Sequence, residues 1–251
     1  MKIVVAFKVV PDDQDIQVSS DRSLDFSKAH QIVSTYDLNA LEAAAQLAEA
    51  TGGSTVGMTA GPAAIDDSKL KKNVLARGID ELVMTADDAC ANMDAHATAE
   101  ALASLAGKIG DYDVIVSGDG SADNYAQQVD VQLAAKLGIP FVSGVTKITP
   151  EGDTLIVERT LEDVIETVEV PLPAVVSVTP DVALPRIPGM KDILAAGKKP
   201  MDVAAADGAY ESVIEVLACK APEQADRKLE IFEASEDGAI QKFAAAIKAA
   251  L

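Results

Sequence analysis

A glycine-rich turn follows a short apolar run near the middle of the chain. The run at residues 113–116 reads Asp-Val-Ile-Val, and residues 117–129 continue as Ser-Gly-Asp-Gly-Ser-Ala-Asp-Asn-Tyr-Ala-Gln-Gln-Val. Where a buried strand is followed by such a turn and then by a helix, several backbone N–H groups are left unpaired. These groups and the positive end of the helix dipole favour the binding of an anion. The turn has neither the G-x-x-x-x-G-K-[ST] nor the G-x-G-x-x-G spacing. We therefore predict that it holds the phosphate of an adenine nucleotide mainly through backbone groups.

The polar side chains of this turn have alternative roles. Asn124 and Gln127 have the spacing of a reciprocal helix cap, which is compatible with phosphate binding. Asp119 and Asp123 would repel a phosphate at close range. They suit ribose hydroxyls, backbone N–H groups or a subunit contact better.

Two further segments are candidates for the same site. Lys8–Asp12 follows the first predicted strand, and it is either a surface turn or brings the backbone of Ala6 and Lys8 against an adenine base. Residues 34–42 open the first predicted helix, where Ser34 or Asp37 can act as the N-cap. Tyr36, at the start of this helix, either stacks on a ligand ring or packs within the loop.

Cysteine, histidine and charge argue against several function classes. Cys90, Cys219, His30 and His96 are scattered along the chain without zinc or iron–sulfur spacing, which favours free thiols in a reducing cytoplasm. Neither histidine has a nucleophile nearby in sequence. The formal charge of −19 argues against nucleic acid and anionic membranes as partners. These features predict a binder or carrier rather than an enzyme.

The elements that position these residues alternate between strands and helices over the first 145 residues. Four short apolar, β-branched runs predict buried strands, and apolar residues at helical spacing separate them. The predicted strands are Ile3–Phe7, Ser54–Thr59, Glu81–Thr85 and Val114–Ser117. This order predicts an α/β fold with a doubly wound, mostly parallel, Rossmann-like sheet. The loops after the strands at residues 8–12, 60–62 and 118–129 should then meet at one edge.

The pattern changes after residue 150. Runs at 154–159 and 164–170 predict an antiparallel addition, followed by a strand at 174–178, and an amphipathic helix ends the chain at 240–251. We predict a nucleotide-binding domain at 1–183, a partner-recognition loop at 184–200 and a C-terminal arm at 201–251 that lies on a partner. The sequence begins directly with a strand and has no apolar run of the roughly 20 residues that span a bilayer, so a cytoplasmic location without membrane insertion is expected.

The loop at 184–200 forms a basic island on an acidic chain. Apolar and basic residues alternate within it, and a methionine flanked by Pro, Gly and Lys suits an adaptable contact. The alternative is a short amphipathic helix that seals the sheet. The predicted docking residues are Pro185, Arg186, Ile187, Met190, Ile193, Lys198 and Lys199.

Four blocks, in order over nearly the whole chain, resemble the β subunit of electron transfer flavoproteins, specifically its anaerobic, carnitine- and acyl-CoA-linked bacterial branch. They are residues 8–12, Tyr36-Asp37 with Ala40-Leu41-Glu42, residues 118–129, and 185–200 with its Pro-Arg and Lys-Lys elements. The resemblance implies an electron carrier rather than an enzyme. It also implies an α-subunit partner with a shared FAD, and an acyl-CoA dehydrogenase or reductase as the second partner.

The same resemblance implies roles for single residues. It places Ala6, Ser34, Asp37 and Ala60 around an adenosine, and Asp123, Gln127, Gln128 and Val129 at its ribose and phosphate. Met190 falls at the apolar tip of the family's recognition loop, and the acidic tail would wrap the α subunit. With the residues argued above, the predicted cofactor contacts are Ala6, Lys8, Ser34, Tyr36, Asp37, Ala60, Gly118, Asp123, Gln127, Gln128 and Val129.

The nucleotide itself stays open between AMP and a second FAD. Electron-bifurcating members usually read Asp-Gly-Asp-Thr-Ala-Gln-Val where this chain has residues 123–129, and AMP-binding members are closer to Asp-Asp-Asp-Cys-Asn-Gln-Thr. This chain, with Asn124 and Tyr125, matches neither pattern. Two other readings come from different classes: a stand-alone nucleotide-binding regulator with a stress-protein-like fold, and an ATP-using ligase or hydrolase.

Overall fold

A computed structural model describes residues 1–224 and 229–250. The strands are β1 (Lys2–Ala6), β2 (Val9–Pro11), β3 (Gln17–Val18), β4 (Leu24–Asp25), β5 (Gln31–Val33), β6 (Ser54–Gly61), β7 (Glu81–Ala86), β8 (Val114–Gly118), β9 (Phe141–Glu151), β10 (Thr154–Thr160), β11 (Ile165–Pro171), β12 (Ala174–Val178) and β13 (Met201–Ala204). The α-helices are α1 (Thr35–Thr51), α2 (Ser68–Leu75), α3 (Ala95–Ile109), α4 (Val129–Leu137), α5 (Met190–Ala196) and α6 (Ala239–Ala250).

Nine of these strands form one mixed sheet in the order β11-β10-β9-β12-β8-β1-β6-β7-β13. In this order, every neighbouring pair from β9 through β12, β8, β1, β6 and β7 to β13 is parallel. The β11–β10 and β10–β9 pairs are antiparallel. The four predicted strands of the first 145 residues are confirmed, with their ends shifted by one or two residues. The predicted antiparallel addition is confirmed as β10 and β11.

The alternation of side chains along β1 shows why the sheet is covered on both faces. Ile3 and Val5 pack in the cluster that includes α1 and α2, whereas Val4 and Ala6 pack in the cluster that includes α3 and α4. A strand that is buried on both sides needs a continuous apolar run, as the sequence supplies. The predicted doubly wound, mostly parallel α/β fold is therefore confirmed.

The sheet extends further along the chain than predicted. β13 lies within the segment assigned from the sequence to the C-terminal arm, yet it pairs in parallel with β7 from Met201↔Leu82 to Ala204↔Thr85. The four residues are too short for a clear period-2 signal, because an edge strand needs only one buried face. The segment predicted to be an arm therefore begins with a strand of the sheet.

The chain forms two compact units. The first comprises residues 1–17 and 25–218 and contains the sheet, and the second comprises residues 18–24 and the described residues from 219 onward. In the second unit α6 confirms the predicted amphipathic helix up to Ala250, and Ile240, Phe243 and Ile247 on it are exposed. Leu251 lies outside the described residues. None of the helices described at 1–224 and 229–250 has the length and apolarity that a membrane crossing requires.

Candidate functional site

A cleft opens at the carboxyl ends of β1, β6 and β8, on the face covered by α3 and α4. β1 lies between β8 and β6, so the strand order reverses direction here, and ligands of open α/β sheets bind at such a point. The cleft encloses about 900 Å³, part of it open to solvent. It is lined by Ala6, Phe7, Lys8, Asp37, Ala60, Met93, Asp94, Ala95, Thr98, Leu102, Ser117, Gly118, Asp119, Gly120, Ser121, Asn124, Ala126, Gln127, Gln128, Val129, Asp130 and Leu133.

A row of unpaired backbone N–H groups forms one wall of this cleft. The amides of the five consecutive residues 126–130 donate no hydrogen bond to any described residue, and all five residues line the cleft. The last two belong to the first turn of α4, where helix geometry leaves N–H groups without an intrahelical partner. The row adds to the positive end of the helix dipole, so it is suited to an anionic oxygen such as that of a phosphate.

The predicted reciprocal cap between Asn124 and Gln127 is wrong, because α4 begins only at Val129. Gln128 is the N-cap residue and makes no side-chain capping bond. Tyr125 and Gln127 have φ angles of 44° and 54°, in the left-handed region that a right-handed helix excludes. The segment before the helix is therefore an irregular loop.

Aromatic packing and a glycine hold this loop in place. Tyr125 packs against Tyr36 with ring centroids 5.0 Å apart, and its hydroxyl donates to Asp119 over 3.1 Å. A Cβ on Gly120 would lie 2.4 Å from the Tyr125 ring, so only glycine fits there without a shift. Of the two alternatives for Tyr36, the structure shows packing within the loop.

The Asp37 carboxylate, which lines the cleft, connects the ends of β1 and β8 through two hydrogen bonds. Its Oδ2 accepts from the Lys8 N–H over 2.7 Å, and its Oδ1 accepts from the Gly118 N–H over 3.1 Å. Burial raises the pKa of Asp37 to about 7, although both N–H bonds and the charge of Lys8 act to lower it. Because the Lys8 N–H is already paired, it is not available to an adenine base.

A second set of bonds fixes the loop to the first strand and helix. The Lys8 ammonium pairs with both oxygens of Asp123, at 2.8 and 2.6 Å. Burial would raise the pKa of Asp123, but Lys8 and the Ser121 hydroxyl outweigh it, so the pKa lies below its ordinary value. The buried Ser34 hydroxyl accepts from the Ala122 N–H over 3.2 Å.

The structure brings eight of the eleven predicted cofactor residues to the cleft: Ala6, Lys8, Asp37, Ala60, Gly118, Gln127, Gln128 and Val129. Ser34, Tyr36 and Asp123 do not line it. They bond to or pack against the loop instead, so their geometry is that of supports. A direct ligand contact remains a prediction for all three, for Ser34 and Asp123 from the resemblance and for Tyr36 from its place at the start of α1.

Sequence reasoning missed the opposite wall of the cleft. It is lined by Met93 and Asp94, which precede α3, and by Thr98 and Leu102 within the helix. Asp94 is the α3 N-cap and accepts from the Ala97 N–H over 2.8 Å. The signal was available, because β7 was predicted and the loop after it must reach the same sheet edge as the other three.

Acidic and orphaned polar atoms line the floor of the cleft. The Ser117 Oγ and the Asp119 Oδ1 are buried and make no hydrogen bond to a described residue. Asp130 is only 7% exposed, and burial raises the pKa of its carboxyl. Such orphaned groups call for a polar partner that is absent from the chain itself.

The predicted docking segment combines exposed apolar residues with anchored cations. Ile187 and Met190 are 92% and 77% exposed, and Ile193 and Leu194 are also exposed, so α5 does not seal the sheet. Several exposed large apolar residues within one short segment are typical of an interaction surface.

Arg186 and Lys199 make hydrogen bonds within the chain, and their contact with a partner remains a prediction. Arg186 donates to Glu42 over 2.7 and 3.1 Å and to Glu49 over 3.0 Å. The Lys199 ammonium donates to the carbonyls of Leu75 and Ile79 over 2.9 and 2.6 Å. Lys198 is exposed and Pro185 is half-buried.

The thiols and metal-binding groups are dispersed. Cys90 is buried, Cys219 is exposed, and both are free. Within residues 1–224 and 229–250 no three His, Cys, Asp or Glu side chains come together as a group that could hold a metal ion.

A family model matches most of the chain. The family model described as "Electron transfer flavoprotein domain" matches residues 23–209. The matched range contains β6 to β13, the loop before α4 and the docking segment.

Proposed function

Because the chain belongs to the electron transfer flavoprotein family, we propose that it is the β subunit of a heterodimeric electron carrier. Members of this family carry electrons rather than catalyse bond chemistry. In this proposal an α subunit shares an FAD with the chain, and the heterodimer exchanges electrons with an acyl-CoA dehydrogenase or reductase in the cytoplasm. The flavin supplies the redox chemistry when bound, and this chain supplies nucleotide binding and partner recognition.

The row of five unpaired N–H groups at 126–130 is the observation that carries the nucleotide part of the proposal. It lies at the switch point of the sheet, in a cleft with apolar walls at Ala6, Leu102 and Leu133. An adenine ring and ribose need such a largely apolar space with a few polar groups. AMP and a second FAD both have a phosphate that the row can accept.

The residues around the cleft have separate tasks. Backbone N–H groups hold the phosphate, whereas the Asp37 carboxylate and the Lys8–Asp123 ion pair hold the loop that carries them. The orphaned Ser117 and Asp119 oxygens can accept from hydroxyl or amino groups of the ligand. No proton transfer is required of any of these groups.

The identity of the released nucleotide tests the proposal most directly. The purified complex is denatured, and the released small molecules are separated and identified by mass. One AMP and one FAD per heterodimer would indicate a simple carrier, and two FAD would indicate an electron-bifurcating one. A colourless homodimer without flavin would contradict the proposal and favour the stand-alone regulator.

The docking segment has its own test. Met190→Glu places a charge at the centre of the exposed apolar patch, and Ile165→Glu places the same charge at an exposed apolar position on β11. We expect Met190→Glu to slow electron transfer to the dehydrogenase at least about tenfold, since a buried interface charge without a partner is costly. Nucleotide content should stay unchanged in both variants. Equal transfer rates for the two variants would remove the docking assignment.

The C-terminal arm would contact the α subunit in this scheme. Leu229, Ile231, Ile240 and Phe243 are exposed apolar residues of the second unit. Deletion of residues 219–251 should then weaken the heterodimer, as measured by analytical ultracentrifugation. A deletion variant that keeps its α partner with unchanged affinity would contradict this assignment.

A further inference from the structure

We propose that lysines of α2 and of the docking segment form a cationic rim beside the exposed apolar residues of that segment, and that this rim selects a partner protein with an acidic docking face. The rim comprises Lys69, Lys72, Lys191 and Lys198. The inference rests on the proposed function, in which the docking segment at 184–200 meets a flavoenzyme. It adds α2 to the docking surface and specifies the charge of the partner.

The positive charges of this acidic chain are concentrated in two stretches. Residues 68–77 and 184–200 contain eight of the 21 Lys and Arg residues but only one of the 40 Asp and Glu residues. The formal charge of the whole chain is −19, so the rest of the chain is more negative still. The local field around these stretches therefore opposes that of the rest of the chain.

The two stretches lie side by side in the fold. Helix α2 packs against α5, and the Lys199 ammonium donates to two carbonyls at and shortly after the end of α2 over 2.9 and 2.6 Å. A Cβ on Gly197 would lie 3.5 Å from the Cε of Lys72. Lys69 lies three positions before Lys72 and therefore on the same face of α2. The lysines of α2 thus border the docking segment.

The other cations of the two stretches are engaged within the chain. Lys71 pairs with Asp66, and the Arg77 Nη1 donates to the carbonyl of Arg186 over 2.6 Å. The Arg186 guanidinium and the Lys199 ammonium make the internal bonds described above. These four cations hold the docking segment and α2 in place.

The rim lysines differ from them in having no such partner. Their ammonium groups make no hydrogen bond or ion pair to any residue at 1–224 or 229–250; three of them are exposed and Lys72 is half-buried. The nearest acids in sequence are capping groups, since Asp192 accepts from the Gly189 N–H over 2.9 Å and Asp67 from the Leu70 N–H over 2.8 Å. The rim therefore has positive charge to offer to a partner.

The apolar residues beside the rim indicate that the partner is a protein. Ile187, Met190 and Leu194 are 92%, 77% and 70% exposed. Protein interfaces combine an apolar centre with a polar rim. A nucleic-acid backbone binds chiefly through cations, and it would leave these three side chains uncovered.

The negative charge of the remaining surface determines which protein the rim can orient. A basic partner would be attracted to most of the chain and repelled at the rim. An acidic partner is repelled by most of the chain and attracted at the rim, which brings it to Met190 in one orientation. We therefore assign the surface to an acidic face of the flavoenzyme.

Stopped-flow electron transfer tests this assignment. The purified complex of the full chain with its flavin-bearing partner is mixed with an acyl-CoA dehydrogenase from the same cells at several salt concentrations, and the second-order rate constant and the limiting rate are measured. Lys69→Glu and Lys191→Glu each reverse one rim charge. Lys28→Glu, the matched control, reverses an exposed cation between β4 and β5 that makes no ion pair with a described residue. Carbodiimide cross-linking of the same mixture identifies the lysines that meet carboxylates.

For the unsubstituted chain we expect the second-order rate constant to fall about tenfold from low to high salt. Lys69→Glu and Lys191→Glu should each lower it about threefold or more at low salt, and Lys28→Glu should lower it less than either. The limiting rate and the melting temperature should stay unchanged in all three variants. Cross-links should join rim lysines to Asp or Glu of the dehydrogenase.

Several results would overturn the inference. These are a rate constant that salt does not alter, equal effects of the three substitutions, and faster transfer by Lys69→Glu. Cross-links from the rim to a second copy of the chain would assign the surface to self-association instead. Cross-links to the dehydrogenase without electron transfer would refute the carrier role but not the docking surface, and the absence of both would refute both.

Discussion

Arg186 offers the sharpest test of which cations support the fold and which meet a partner. Its guanidinium makes three hydrogen bonds to Glu42 and Glu49, and its backbone N–H makes a fourth, to Glu42 over 3.0 Å. The Glu42 side chain is only 6% exposed, whereas that of Arg186 is 33% exposed. Arg186→Ala would therefore leave a buried carboxylate with only Gln46 and one backbone N–H as partners.

The expected loss follows from this asymmetry. Removing one partner of a buried ion pair costs about 3–5 kcal/mol, and the partial exposure of Arg186 places the expected loss near the lower limit, about 3 kcal/mol. For a chain of this size such a loss lowers Tm by roughly 6–12 °C. Glu42→Gln should cost less, because the arginine that it leaves behind can be hydrated.

The pH dependence gives a second readout of the same pair. Burial alone would raise the pKa of Glu42, but the bonds from Arg186 and Gln46 outweigh it, so its pKa in the folded chain lies below the ordinary value. The pair therefore stabilises the chain above the unfolded-state pKa, and this contribution is lost as pH falls through the lower, folded-state pKa. In Arg186→Ala this acid-side loss should disappear.

The assay is urea unfolding of the full-length chain, followed by circular dichroism from about pH 3 to 7, a range that covers the acid side of the ordinary glutamate pKa. Lys191→Ala removes an exposed cation from the same segment and serves as the matched control. If Arg186→Ala unfolds within about 0.5 kcal/mol of the control, the clamp does not support the fold. The sequence-based assignment of Arg186 to docking would then regain its basis.

Three further predictions concern Asp37, the loop before α4 and the Lys199 bonds. Asp37→Asn should remove a pH dependence of the unfolding free energy. In the unsubstituted chain this free energy falls by up to about 4 kcal/mol as pH rises from the unfolded-state pKa of Asp37 toward 7, because its folded-state pKa is the higher one. Urea titrations at pH 5 and 8 measure the change, and an equal change in the variant would contradict the argument from burial. Gln127→Gly should leave the free energy of unfolding equal or higher, because φ is 54° at this residue and glycine adopts this left-handed region without strain. Gln128→Gly, at φ −125°, should lower it by about 1 kcal/mol. Thermal unfolding that ranks the two variants in the opposite order would disprove backbone strain at Gln127. Lys199→Met should lower the free energy of unfolding by about 1–2 kcal/mol, because two hydrogen bonds to carbonyls are lost. Substitution of the exposed Lys198 by Met should leave it unchanged. Equal melting temperatures of the two variants would show that the Lys199 bonds do not stabilise the chain.

Periodic apolar patterns made most of the fold predictable. The central strands are short β-branched runs whose two faces must both be buried, and that requirement is visible residue by residue, as at Ile3 to Ala6. Strand ends converge at one edge in any parallel sheet, so the three loops could be assigned to one site. The edge strand β13 was not predicted, because its four residues, three half-buried and one exposed, have almost no periodic signal.

The detailed site depended on long-range contacts that no local pattern encodes. Arg186 and Glu42 are 144 positions apart, and Lys8 and Asp123 are 115 apart. A basic residue in an exposed-looking segment therefore gave no sign that it was committed to an internal acid. The late start of α4 was not predicted for a related reason. Tyr125 adopts a left-handed φ while it packs on Tyr36, which is far away in the sequence.

The phosphate seat at residues 126–130 is made of main-chain groups, and this has a consequence for how the chain tolerates change. Almost any residue other than proline provides the same N–H, so side chains at these positions can vary while the seat persists. Alanine scanning would accordingly find little there, although the seat is central to binding. A proline at Val129, in the first turn of α4 where proline is tolerated, would reveal it by deleting one donor, whereas proline at Gln127 would disrupt the loop because φ is 54° there.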